Sequence, residues 1–190
     1  MTTKWNAKIQ FPTTSDTVNR CIGATFGPSK SSQNPMISLE FEVVSPEVVE
    51  VGYLQVNIQG VKCINYYTTK VFEKDTEGNS VVNEDKTAAC LERVHELYAN
   101  FGIDTTGVNW DNPPVDGFRG KCVMTQMSPD VDVMRKNPTS QQIRDAKKKG
   151  IRAEGDIMKN PVTGKDLIQY WPKIREIFGL AQTEHIKMTY

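Results

Sequence analysis

The segment Met36-Ile37-Ser38-Leu39-Glu40-Phe41-Glu42-Val43 constrains this chain most. Ile37, Leu39, Phe41 and Val43 alternate with Ser38, Glu40 and Glu42. Successive side chains on a strand point to opposite faces, so this strand has one buried face and one wet face. At 190 residues the chain has room for one domain, or one domain with an appendage. With 38 % apolar and 24 % charged residues it is neither collagen-like nor fully disordered, and it can bury one core.

The flanking segments extend the pattern. Val18–Phe26 reads as a strand, and the stretch from Gly27 to Pro35, with two prolines and no apolar side chain, as an exposed loop. Further strands are predicted at 52–58 and 61–69, followed by a polar, turn-like stretch at 73–85. A helix is predicted from about Lys86 to Phe101, where Leu91, Val94, Tyr98 and Phe101 recur at helical spacing. Gly102 sits where a C-cap belongs, and Glu84 and Asp85 put negative charge at the positive end of the helix dipole. After Asn112-Pro113-Pro114, the run Phe118–Thr125 reads as a closing strand. Periodicity thus points to an antiparallel sheet with one helix, and the order matches the small Greek-key barrel of the OB-fold. The expected fold is mainly β: a five-stranded OB-fold barrel over 15–128 with the helix plugging one end.

The remainder differs in character, and a division into 1–128 and a basic, mixed and helical extension at 129–190 is expected. A short polar helix starts near Pro138, Thr139 and Ser140, runs through Gln141–Lys149 and stops at Gly150. Pro172 is predicted to open a last helix through Phe178-Gly179, with Ile174, Ile177 and Phe178 on one sticky face. The net charge of zero hides an asymmetry. Residues 1–118 carry 9 Lys or Arg against 15 Asp or Glu, whereas residues 119–190 carry 14 against 8. Local potential rather than net charge steers a partner, so a polyanion remains a candidate ligand.

Several functions are disfavoured. No stretch of about 18 apolar residues exists to span a membrane, and Met1–Asn6 lacks the apolar core of a signal peptide. Cys21, Cys63, Cys90 and Cys122 form no CxxC pair and sit in apolar runs, as expected of reduced, mostly buried thiols in an intracellular, reducing setting. His95-Glu96 is half of a zinc-protease motif, but Ala99 stands where the second His belongs. Gly164-Lys165 and Gly120-Lys121 lack the first glycine of a phosphate loop, having Lys159 and Val115 there. Asp130 and Asp132 lack the glycine and distal Glu of a calcium loop. No nucleophile–base pair stands at a motif spacing, so a non-enzyme with no catalytic residue, metal or cofactor is expected.

What remains is aromatic residues interleaved with cations. Tyr66, Tyr67, Phe72, Trp110 and Phe118 lie on or beside the predicted sheet, among Lys62, Lys70, Arg119 and Lys121. Single-stranded nucleic acid is held this way, bases stacking on aromatic faces while cations track the phosphates. Aromatics also suit a sheet core, but Tyr66 and Tyr67 are neighbours, so one of them should face away from it. Lys30 in the polar loop, and Arg135, Lys136 and Lys147, add candidate phosphate contacts. The run Lys147-Lys148-Lys149 equally complements the dipole of its own helix.

The motifs "NPMISLEFEVV", "ANFGID" and "FRGKCVMTQM" resemble those of single-stranded DNA-binding proteins encoded by tailed bacteriophages. The matching positions are Pro35-Met36 opening the second strand, Phe101-Gly102-Ile103 ending the helix and Gly120-Lys121 opening the closing strand. The resemblance covers about residues 15–128. It implies an OB-fold, sequence-nonspecific binding of single-stranded DNA, and a role in phage replication or recombination in the host cytoplasm. Replication or recombination proteins and further copies of the chain are its implied partners. Many proteins of that group end in an acidic tail, which Glu184–Tyr190 is not. The alternatives are an RNA-binding OB module and a structural or interaction protein of a virion or replication complex.

Overall fold

The computed structural model describes residues 14–51 and 54–182. Strands β1 (Ser15–Pro28) and β2 (Pro35–Ser45) form a long antiparallel pair. Their connection is a tight turn in which the Ser29 amide donates to the Asn34 carbonyl at 2.8 Å. On β2 the alternation is realised: Ile37, Leu39, Phe41 and Val43 are buried, while Ser38, Glu40 and Glu42 take the other face. Strands β3 (Val48–Val51) and β4 (Leu54–Asn57) make a hairpin of their own. Strand β5 (Lys62–Thr68) pairs with the free edge of β2. Strands β6 (Phe72–Lys74) and β7 (Ser80–Val82) form a second hairpin within the stretch expected to be turn-like.

Helix α1 (Glu84–Asn100) starts at Asn83, whose side-chain oxygen accepts from the Lys86 amide at 2.9 Å. A 3-10 turn at Asp116–Phe118 leads into β8 (Cys122–Val133), then helix α2 (Ser140–Lys149) and β9 (Ile168–Leu180). The main sheet is antiparallel throughout, in the order β5-β2-β1-β8-β9.

Three sequence expectations are corrected here. The strand at 52–58 does not join the main sheet: β4 pairs only with β3, and residues 52 and 53 lie outside the described set. The strand at 118–125 starts later, at Cys122, and runs on to Val133, across the expected boundary at 128. The helix expected from Pro172 is a strand, and it supplies the fifth member of the sheet. The reason is legible in the register. Met127 pairs with Ile174, but its neighbour Gln126 pairs with Glu176, leaving Arg175 as an extra residue; Phe178 is skipped in the same way between Ile177 and Gly179. Such bulges change the period of two, so the buried Ile174 and Ile177 stand three apart and imitate a helix.

The ends of α2 fall where the sequence places them, with Thr139 rather than Ser140 as the cap and Gly150 as the stop. Thr139 makes a reciprocal capping box with Gln142, and Gly150 closes the helix at φ 66°, a conformation that side-chain-bearing residues rarely adopt.

The closed barrel expected over 15–128 is also corrected: the sheet curls so that its edge strands approach, but no backbone ladder joins them among the described residues. Asn65 Nδ2 donates to the Ile174 carbonyl at 3.1 Å across this seam. Helix α1 covers it, with Asn100 Nδ2 donating to the Ile177 carbonyl at 2.8 Å. Val94, Leu97 and Tyr98 of α1 are buried against the sheet. Beyond the helix, Phe101 and Phe118 pack edge to face at 4.9 Å, and Tyr98 meets Phe118 at 4.7 Å. Full burial of a side chain of this size contributes about 1.5–3 kcal/mol, so this cluster anchors helix to sheet.

Pairing between β1 and β8 reaches Ser15 and Met127. Further along, β8 and β9 continue as a two-stranded ribbon, Ser128–Val133 against Ile168–Lys173. Asp130 braces it through Lys173 at 3.4 Å and Arg175 at 3.3 Å. Residues 134–167 fold at its tip. The Met134 amide donates to Leu167 at 2.7 Å, Met158 to Met134 at 2.8 Å and Lys136 to Asp156 at 2.9 Å. Gln142 Nε2 ties α2 to Asp156 at 2.8 Å. At Gly155 a Cβ would lie 1.8 Å from the Lys136 carbonyl oxygen, so only glycine fits.

Candidate nucleic-acid interface

The outward face of β1, β2 and β5 forms three registered rows. Arg20, Glu42 and Lys62 stand in one; Gly23, Glu40 and Ile64 in the next; Thr25, Ser38 and Tyr66 in the third. On β5 alternate residues turn inward, with Cys63 buried and Asn65 and Tyr67 half-buried. Tyr66 is 60 % exposed and Ile64 51 % exposed. Two steps along a strand separate them by about 7 Å, so the Tyr66 ring and an exposed apolar side chain stand side by side.

At the far end of this face lies the turn carrying Lys30, which is exposed. Phe72 is held beside that turn by a 3.0 Å hydrogen bond from its amide to Asn34 Oδ1, and the residue is exposed, at 36 %. At the opposite end is the root of the ribbon. Strands β5 and β9 both run parallel to β1 and meet at the Asn65–Ile174 contact, and Trp171 stands on the ribbon three residues before Ile174. Trp171 is exposed. The tip beyond it, residues 134–167, carries nine Lys or Arg and four Asp or Glu. Lys136 and Lys147 are exposed there, with no ion pair among the described residues. Arg135 is engaged, donating to the Gly155 carbonyl and pairing with Glu154, both at 3.3 Å.

Other expected site residues make contacts within the fold. Phe118 is completely buried and offers no face to a base. Tyr67 points inward, and burial raises the pKa of its hydroxyl. Trp110 is half-buried, packed edge to face on Tyr98 at 5.4 Å and on His95 at 4.7 Å. Lys70 is paired with Asp111. Lys121 Nζ donates to the Phe101 carbonyl at 2.7 Å, which places a cation at the negative end of α1. Arg119 is exposed beside the free edge of β1, its Nη2 donating to the Ala24 carbonyl at 3.0 Å. Sequence reading missed Arg20, Ile64 and Trp171. The register of β1, β2 and β5 exposes the first two, and recognition of β9 as a strand would have placed the third.

Lys121→Ala is therefore expected to lower stability by about 1.5–3 kcal/mol, as loss of a hydrogen bond to a charged group does. A denaturant melt reads this; unchanged stability would remove Lys121 from its capping role.

The thiols are free. Burial pushes Cys21 up to about 11 and Cys63 up to about 12, so neither is a nucleophile near neutral pH. Among the described residues no group of three His, Cys, Asp or Glu is placed to hold a metal, and no helix is long and apolar enough to cross a membrane. Compared with known protein families, curated proteins and solved structures, the chain matches none.

Proposed function

We propose that this chain is an OB-type single-stranded DNA-binding protein of the kind tailed bacteriophages encode, acting in replication or recombination. Taken by place in the main sheet, the strands are β1, β2, β5, β8 and β9, with α1 between the third and fourth and the third and fifth meeting at the seam. That order, and the curl that brings the edges together, support the OB reading. In OB-folds the face of strands two and three, with the loops joining strands one to two and four to five, binds oligonucleotides. The equivalents here are the outward face of β2 and β5, the Lys30 turn and the basic tip at 134–167.

The observation that carries the proposal is Tyr66: a large ring held outward on a strand, beside exposed Ile64 and with Lys62 two residues further along. Stacking on such a ring tolerates any base, because every base has a π-face. Lys30, Lys62, Arg20 and the tip then meet phosphates along the path.

Photo-crosslinking of an oligonucleotide followed by peptide mapping tests this placement. Adducts are expected on the peptide containing Tyr66, with none on those containing Trp110 or Phe118. Adducts confined to α1, or absent altogether, would overturn it.

A further inference from the structure

We propose that Glu40 makes this face discriminate between bases, favouring those with exocyclic amino groups over thymine and uracil. The inference rests on the single-strand reading above and adds selectivity to it. Glu40 occupies the middle of the three registered rows, on the central strand of the outward face. Its neighbour Glu42 lies in register between Arg20 and Lys62, so cations on both sides offset its charge. Glu40 instead lies between Gly23 and Ile64, with no charged residue in register on either side; neither glutamate makes an ion pair among the described residues.

Its carboxylate also lies close over Gly23. A Cβ at Gly23 would stand 3.3 Å from both the Cβ and Oε2 of Glu40. The side chain thus folds across the bare backbone of Gly23, in space that a larger residue would contest. The Tyr66 ring is one row away on the adjoining strand, a diagonal distance of about 7 Å between backbone positions. A base stacked on Tyr66 can therefore bring its edge over Glu40.

An ionised carboxylate only accepts hydrogen bonds. Beside a phosphate path it repels the backbone and gains nothing. Facing a base edge it accepts from the amino groups of cytosine, adenine or guanine, and it opposes the carbonyl O4 of thymine or uracil. Cytosine and thymine share ring size and stack alike, so a comparison of the two isolates this contact.

The experiment is anisotropy titration of oligo-dC and oligo-dT of equal length against wild type, Glu40→Gln and Glu42→Gln, with melting temperatures to confirm folding. Wild type is expected to bind oligo-dC about fivefold more tightly, the lower end of what one base-edge contact supplies. Glu40→Gln is expected to abolish that ratio, chiefly by tightening oligo-dT. Glu42→Gln is expected to shift both affinities together and keep the ratio. Equal wild-type affinities, or a ratio that survives Glu40→Gln, would overturn this inference alone. Failure of wild type to bind either oligomer would overturn it together with the single-strand reading.

Discussion

Phe118→Ala is expected to cost about 3–5 kcal/mol of stability, the range for removing a large aromatic from a core. Phe118 is fully buried and touches both Phe101 and Tyr98 edge to face, so its removal leaves a cavity where helix, sheet and the 3-10 turn meet. That is a large share of the 5–15 kcal/mol by which most domains are stable. The variant should melt far below wild type, and any fraction still folded should bind single strands normally. A variant that melts like wild type would mean the aromatic cluster is not the anchor of α1.

Tyr66→Ala is expected to do the opposite. Its ring is exposed and packs little, so stability should change by no more than about 0.5 kcal/mol. Single-strand affinity should fall by roughly 1–3 kcal/mol, the contribution of one stacked base. The pair of variants separates folding from binding, because two aromatics that look alike in sequence are assigned opposite roles by their faces. Full affinity in folded Tyr66→Ala would move the binding surface off the sheet and leave the basic tip at 134–167 as its candidate.

How much of this was legible before folding follows from which signals are local. The alternation in β2 and the caps of α2 at Thr139 and Gly150 are written in short stretches, and both elements form as expected. That one of Tyr66 and Tyr67 faces outward also follows from adjacency, but which one depends on pairing Ile37 with Tyr67 and Ser38 with Tyr66. Phe118 and Trp110 were misplaced for a related reason. An aromatic near a strand reads the same in sequence whether it fills the core or faces solvent, and only the packing of α1 decides. Strand β9 was hidden by its bulges at Arg175 and Phe178, which give Ile174 and Ile177 a helical spacing. With β9 hidden, the C-terminal third looked like an appendage, although it completes the sheet and carries the ribbon.

The claim at the centre is that single strands bind the outward face of β2 and β5 through stacked bases and phosphate contacts. Anisotropy titration of a labelled single-stranded oligonucleotide at several salt concentrations, with unlabelled duplex as competitor, tests it most directly. The logarithm of affinity should fall linearly with that of salt, by about 0.7 for each phosphate contacted, and duplex should displace the single strand poorly. Absence of binding at low salt, or displacement by duplex as effective as by unlabelled single strand, would contradict it.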